Sequence, residues 1–220
     1  MVQPSTLQFL KDVSENNNRE WFASHKDQYI RSRENLLELT AQIIQKLSET
    51  DNQIPADLNP DTCVMRIYRD IRFSTDKTPY KTNFGIGISP RGKNFNGPGY
   101  YIQIEPGKSF IAGGSWYPES EQLKAIRQEI DYNSSDFKDI IESGDFKKYF
   151  GDFDPEQKLK TMPKGYPADH EMIEYLKLKC FVASRSITDE ELQKKDVVDN
   201  IVDTLEKLYP LMVFLRNAIS

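Results

Sequence analysis

A 3.6-residue apolar stripe, Trp21, Phe22, Tyr29, Leu36, Ile43, Ile44 and Leu47, holds for about 30 residues before it stops. After a loop at residues 54–60 the period becomes two: Met65, Ile67, Ile71 and Phe73 alternate with Arg66, Tyr68, Asp70 and Arg72. The first pattern buries one side of a long helix and the second one face of a strand, and the chain keeps the two in separate blocks. Such grouping specifies an α+β fold with an antiparallel sheet, because a doubly wound sheet would alternate strand and helix throughout. At 220 residues the chain fits one domain.

Further elements follow from the same reasoning. Leu7, Phe9, Leu10 and Val13 mark a first short helix, and Asn17 with Glu20 three residues on resembles a capping box at the start of the long one. Strands are expected at residues 65–73, 84–89, 100–105 and 109–116, and a fifth at 180–183. Pro106-Gly107 is short enough to force an antiparallel hairpin between two of them. Helices follow at Leu123, Ile126 and Ile130, at His170 with Asp169 as its cap, and at 197–219, where Pro210 is expected to kink or break the last. The expectation is a single domain, helical over 1–50, mainly β over 62–117 and mainly helical over 118–220. Four to five antiparallel strands pack against the long N- and C-terminal helices.

Composition narrows the function classes. Lys and Arg number 29 against 34 Asp and Glu, a net charge of −5, with 38% hydrophobic residues, as in a soluble folded protein and unlike a disordered or coiled-coil one. No run reaches the roughly 18 apolar residues of a membrane span, and residues 1–5 lack the features of a signal peptide; a cytoplasmic protein is expected, without membrane partners. Cys63 and Cys180 read as two buried thiols, with neither a disulfide framework nor a C-x-x-C pair. No metal ligand set and no cofactor is expected: the chain has no dinucleotide fingerprint, Walker A sequence, Gly-x-Ser-x-Gly elbow or His-Glu-x-x-His.

One segment departs from this acidic background. Residues 64–93 hold seven cations, Arg66, Arg69, Arg72, Lys77, Lys81, Arg91 and Lys93, against Asp70 and Asp76, a local charge of +5, which leaves −10 on the rest of the chain. A compact positive region in an acidic protein favours a small anionic ligand over a long polyanion. Strand parity would put Gly85 and Gly87, with Gly113, on the polar face among Arg66, Arg72, Tyr68, Tyr101, Gln103 and Glu105, as the floor of a shallow groove. Solvation of an exposed sheet face is the competing account of the same pattern. Parity also turns Arg69 inward, so it needs a buried acceptor or a bulge.

The run Arg69-Asp70-Ile71-Arg72-Phe73-Ser74-Thr75-Asp76-Lys77-Thr78-Pro79-Tyr80-Lys81 resembles the signature of the bacterial and fungal domain-of-unknown-function family 2461. Trp21-Phe22 with Tyr29, Tyr101, Gly113-Gly114 before Trp116-Tyr117-Pro118, Ile126-Arg127, and Pro163-Lys164-Gly165-Tyr166 leading to Asp169-His170 extend the resemblance over about residues 7–181. The resemblance implies one intracellular domain and carries no activity, substrate or cofactor. It marks Arg69, Asp70, Arg72, Asp76, Lys77 and Lys81 as motif positions.

In chemical terms Arg66, Arg69, Arg72, Lys77 and Lys81, with Tyr68 and Tyr101, form a candidate clamp for a phosphate or carboxylate. His170, after a loop, and Asp70 are the candidate acid/base groups, although cations beside Asp70 should depress its pKa. His25 reads as packing or surface. Two functions stay open: binding or turnover of a small anionic metabolite, or a non-enzymatic module for single-stranded nucleic acid or a partner protein using exposed aromatics. Whether a reaction is catalysed, and the oligomeric state, stay open as well.

Overall fold

A computed structural model describes all 220 residues. The chain is mixed helix and sheet, with one apolar core of 47 buried residues. Helix α1 (Pro4–Glu15) begins on Pro4, whose missing N–H costs nothing in a first helical turn. The predicted long helix is divided into α2 (Arg19–Ser24) and α3 (Lys26–Thr50). The break is at His25, whose Nδ1 lies 2.8 Å from the Trp21 carbonyl and whose ring stacks on Trp21 at 4.1 Å. Asn18, not Asn17, caps α2, accepting from the Trp21 N–H at 2.9 Å.

The sheet is an antiparallel meander in the order β1 (Phe84–Ile88), β2 (Gly99–Ile104), β3 (Phe110–Ser115), β4 (Phe181–Ser186). Phe84, Ile86, Ile88, Tyr100, Ile102, Ile104, Ile111 and Phe181 turn to the core. Gly113 joins them, contrary to the parity expectation. A Cβ there would stand 2.9 Å from Leu208, and its bareness makes room for the Tyr100 ring.

Helices α4 (Ser120–Tyr132), α5 (Ser134–Ile141) and α6 (Gly144–Phe150) follow, then the four-residue α7 (Ile173–Leu176), α8 (Asp189–Leu192) and α9 (Val197–Ala218). Helix α9 lies along the inner face of β3 and also meets α3 through Ile201, Leu205, Leu208, Leu211, Met212 and Leu215, all fully buried. Truncating any of these leucines would cost about 2–5 kcal/mol. The helix continues unbroken through Pro210. No helix starts at His170: its Nδ1 accepts the Met172 N–H at 3.0 Å, closing a turn, and α7 begins at Ile173. No helix is long and apolar enough to cross a membrane.

The expected strand at 65–73 does not form. Only residues 63–67 run beside β1: the Met65 N–H donates to the Gly85 carbonyl at 2.8 Å and the Gly87 N–H to the Cys63 carbonyl at 3.0 Å. Beyond Ile67 the chain leaves the sheet, and Phe73, expected on the apolar face, is 96% exposed. Regular strands therefore start at Phe84.

One polar cluster inside the core has no counterpart in the sequence reading. Asp51, fully buried at the end of α3, accepts from the Tyr100 hydroxyl and from Arg216 Nη1, each at 2.8 Å. The triad ties α3, β2 and α9 together.

Candidate functional site

The departure of residues 68–80 from the sheet follows from local side-chain bonds that compete with a strand ladder. Asp70 accepts from the Arg72 N–H at 3.3 Å and Asp76 from the Thr78 N–H at 2.9 Å, so each carboxylate closes its own turn. Arg69 spans the loop: Nη1 bonds Asp76 at 2.6 Å, the Thr78 carbonyl at 3.0 Å and the Thr78 hydroxyl. Arg72 makes a two-pronged pair with Asp70 at 2.9 and 2.6 Å, and Lys77 Nζ bonds the Ile71 carbonyl at 2.9 Å. Three of the five clamp cations thus close the loop on itself. The Arg72 guanidinium holds the Asp70 carboxyl below its ordinary range, while the Thr78 N–H and hydroxyl, and then Arg69, do the same for Asp76.

The loop is anchored at its base. Asn17 acts as a surrogate strand for Tyr80, donating to its carbonyl at 2.9 Å and accepting from its N–H at 3.0 Å. The Tyr80 ring stacks on Phe22 at 3.9 Å, and Tyr68 closes the same cluster at 5.9 Å from Phe22 and 5.6 Å from Tyr80. Tyr68 therefore belongs to the anchor.

Arg66 and Lys81 are the candidate clamp cations left outside these bonds. They lie where residues 63–67 flank the sheet, the Lys81 N–H donating to the Ile67 carbonyl at 2.8 Å. Burial, and then the neighbouring charge of Arg66, push the Lys81 pKa down.

A groove lies on the sheet face opposite α9. Its larger part, about 470 Å³, is lined by Gly99, Ala112, Gly114 and Val182 below and by Met65, Lys93, Tyr101, Gln103, Phe110 and Trp116 around. It continues over Gly87 and Ser89 toward Phe95, Asn96 and Gln122, through a further space of about 210 Å³ that shares Met65, Lys93, Tyr101 and Trp116. Of the glycines that strand parity put on the floor, Gly87 borders the smaller part, whereas Gly85 is covered: a Cβ there would stand 2.8 Å from the Tyr101 hydroxyl and 2.9 Å from the Met65 sulfur. Burial, and then Glu105, push the Tyr101 phenol up. Its hydroxyl donates to Gln103 at 3.1 Å, and Gln103 donates to Glu105 at 2.6 Å. Lys93 is the cation in the wall. Its ammonium donates to the Asp61 and Val64 carbonyls at 3.0 and 2.8 Å, which leaves one of three N–H bonds available.

The candidate acid/base residues lie apart from this groove. His170 Nε2 is 2.8 Å from Asp131 Oδ1 while Nδ1 accepts from Met172, so both ring nitrogens are engaged. That arrangement fixes Nε2 as the protonated nitrogen and leaves no lone pair for a substrate. Asp70 is held by Arg72. No three His, Cys, Asp or Glu side chains converge where they could hold a metal ion. Of the expected site residues, Tyr101 lies in the groove, while Arg66 and Lys81 lie outside its lining, in and beside the segment that pairs with β1. Lys93, Phe110 and Trp116 were not singled out as site residues, although Gly113-Gly114 before Trp116-Tyr117-Pro118 was the local signal for one wall.

A family model described as a conserved hypothetical protein (DUF2461) matches residues 5–214. No curated protein and no solved structure matches the chain.

Proposed function

The chain belongs to the DUF2461 family, and from its geometry we propose that it binds a small ligand bearing a phosphate or carboxylate in the groove on the open face of the sheet. Lys93 offers the anion its remaining N–H, and Arg66 and Lys81 add positive potential from the adjoining edge. The observation that carries this reading is a cation in the wall of a groove whose floor is largely bare of side chains, which lets a ligand approach the backbone closely. Arg69, Arg72 and Lys77 then act by shaping the loop that follows Arg66, and Asp70 and His170 hold structure. The depressed pKa of Lys81 fits a site that favours incoming negative charge, since an anion beside it would raise that pKa again.

The test is a thermal-shift screen of the wild type and of the Arg66→Met/Lys81→Met double variant against phosphate monoesters and carboxylates. A ligand at 100 times its Kd adds about 2.7 kcal/mol, or roughly 5–11 °C for a chain of this size, and the double variant should show a smaller shift. No shift with any anion, or equal shifts in both proteins, would overturn the proposal. A second reading, docking to single-stranded nucleic acid or a protein, is favoured by Phe73 alone, fully exposed at the loop tip with the Arg72 guanidinium 5.9 Å from its ring. Oligonucleotide binding that weakens steeply with salt and is lost in Phe73→Ser would support that reading instead.

A further inference from the structure

The anion contact leaves the body of the ligand undefined, and the backbone around Trp116 bears on it. Gly114 has φ 137, and a Cβ there would stand 1.9 Å from the Phe181 carbonyl oxygen. Tyr117, φ 44, is the one non-glycine residue of the chain with positive φ. Conformations of this kind cost about 1–3 kcal/mol each and persist only where the surroundings over-determine them. Here the Tyr117 hydroxyl donates to Gln157 at 2.6 Å and its N–H reaches the Cys180 sulfur. Between these two constrained residues Trp116 is held over the groove, 69% exposed, although core packing would bury an indole.

The walls beside it are also flat and apolar. Tyr101 and Phe110 sit 5.6 Å apart. The polar side chains at the rim already satisfy each other in the series Tyr101 to Gln103 to Glu105. In the larger part of the groove, away from Asn96 and Gln122, a sugar or another polyol would find few partners for its hydroxyls, at a cost of about 1–3 kcal/mol for each one buried unpaired. A planar ring needs no such partners and gains from stacking.

We infer that the ligand is an aromatic anion: a flat ring that lies over the glycine floor against Trp116, with its phosphate or carboxylate at Lys93. This inference rests on the groove being the binding site. It makes Trp116 the residue that selects the ligand's body, with Gly114 and Tyr117 as positioning residues.

The experiment uses the fact that the chain has two tryptophans. In Trp21→Phe, Trp116 is the only indole, and its emission is titrated with phenyl phosphate and with glycerol phosphate, which present the same anion on different bodies. The same pair is compared by thermal shift on the wild type and on Trp116→Leu, whose largely exposed side chain can be replaced without loss of fold, as circular dichroism checks. The expected result is saturable quenching by phenyl phosphate, affinity at least about tenfold above that for glycerol phosphate, and loss of that preference in Trp116→Leu. Equal affinity for the two compounds, or a preference that survives in Trp116→Leu, would overturn the aromatic-ring inference while the anion groove stands. Binding of neither would remove the groove reading itself.

Discussion

Replacing Asp51 with alanine isolates the one buried charge network of the fold. Its carboxylate is fully buried and holds both the Tyr100 hydroxyl and Arg216 Nη1 at 2.8 Å, and it also accepts the Gln53 N–H at 3.1 Å. The Arg216 side chain is 6% exposed, and its Nε and Nη2 have no hydrogen-bond partner even in the intact protein. Removing the carboxylate thus leaves a buried cation with no counter-charge, which costs about 3–5 kcal/mol, and an unpaired phenol on top of it. A total near 4–6 kcal/mol would remove much of the roughly 5–15 kcal/mol that a typical domain has. At 2–4 °C per kcal/mol the melting temperature should fall by roughly 10–20 °C.

Urea and thermal unfolding measure this, and a second substitution tests the cause. In Asp51→Ala, adding Arg216→Met removes the orphaned charge and should restore at least about half of the loss, since an apolar isostere of a buried pair is often neutral. An Asp51→Ala protein within about 1 kcal/mol of wild type, or no recovery in the double variant, would refute the reasoning. The network also has an alkaline signature. Burial, and then Asp51, raise the Tyr100 pKa in the folded chain, so this contribution is complete below the unfolded phenol's value near 10 and is lost as pH rises above it. Tyr100→Phe should flatten that loss.

Other consequences can be checked separately. Gly114→Ala places a Cβ against the Phe181 carbonyl at an unfavourable φ, so it should lower the melting temperature strongly or prevent folding, whereas Gly107→Ala, with open space around it, should be far milder. Arg69→Ala should cost about 1 kcal/mol or less globally, yet limited proteolysis should become faster within residues 70–77 as the loop loses its cross-link; unchanged cleavage would argue against that role. Folded-state pKa values of Asp70 and Asp76 lie below the usual carboxylate range, so their turns persist above about pH 4 and are lost as pH falls further. The Arg72 and Thr78 amide shifts should therefore titrate with midpoints below about 3.9; midpoints at or above that would contradict the pairing. Lys81, whose pKa burial lowers, should titrate below the other lysines in competitive amine labelling, and a bound anion should reverse the difference.

Much of the fold could be read directly from residue order. The stripe through Leu36, Ile43, Ile44 and Leu47 is the buried side of α3, and Pro106-Gly107 is the turn of the β2–β3 hairpin, with Gly107 at φ 72. Residues 65–73 misled because alternation was satisfied by Ile67, which is buried, and by Phe73, which is not. What decided their conformation was Asp70 and Asp76 bonding backbone two residues on, a local chemistry that periodicity does not register. The positive segment was legible as charge, but not which cations would spend it on their own loop; Arg69 and Arg72 face carboxylates only seven and two positions away. Lys93 was counted in that segment, yet its place in the groove wall depends on the fold bringing its Cα to 3.3 Å from the Cβ position of Gly87. The Asp51, Tyr100 and Arg216 triad joins positions too distant in the chain for any spacing rule. The single hint was a tyrosine on the core-facing side of β2, since a buried phenol needs a partner.

The central claim, that the open sheet face is the ligand site, is tested most directly by following glycine amide signals in a two-dimensional NMR titration with phenyl phosphate. The account predicts saturable shifts at Gly87, Gly99 and Gly114, which floor or border the groove, with Gly107, Gly144, Gly151 and Gly165 unmoved. Saturable shifts at the second set, or in the loop around Phe73, with the groove glycines silent, would contradict it.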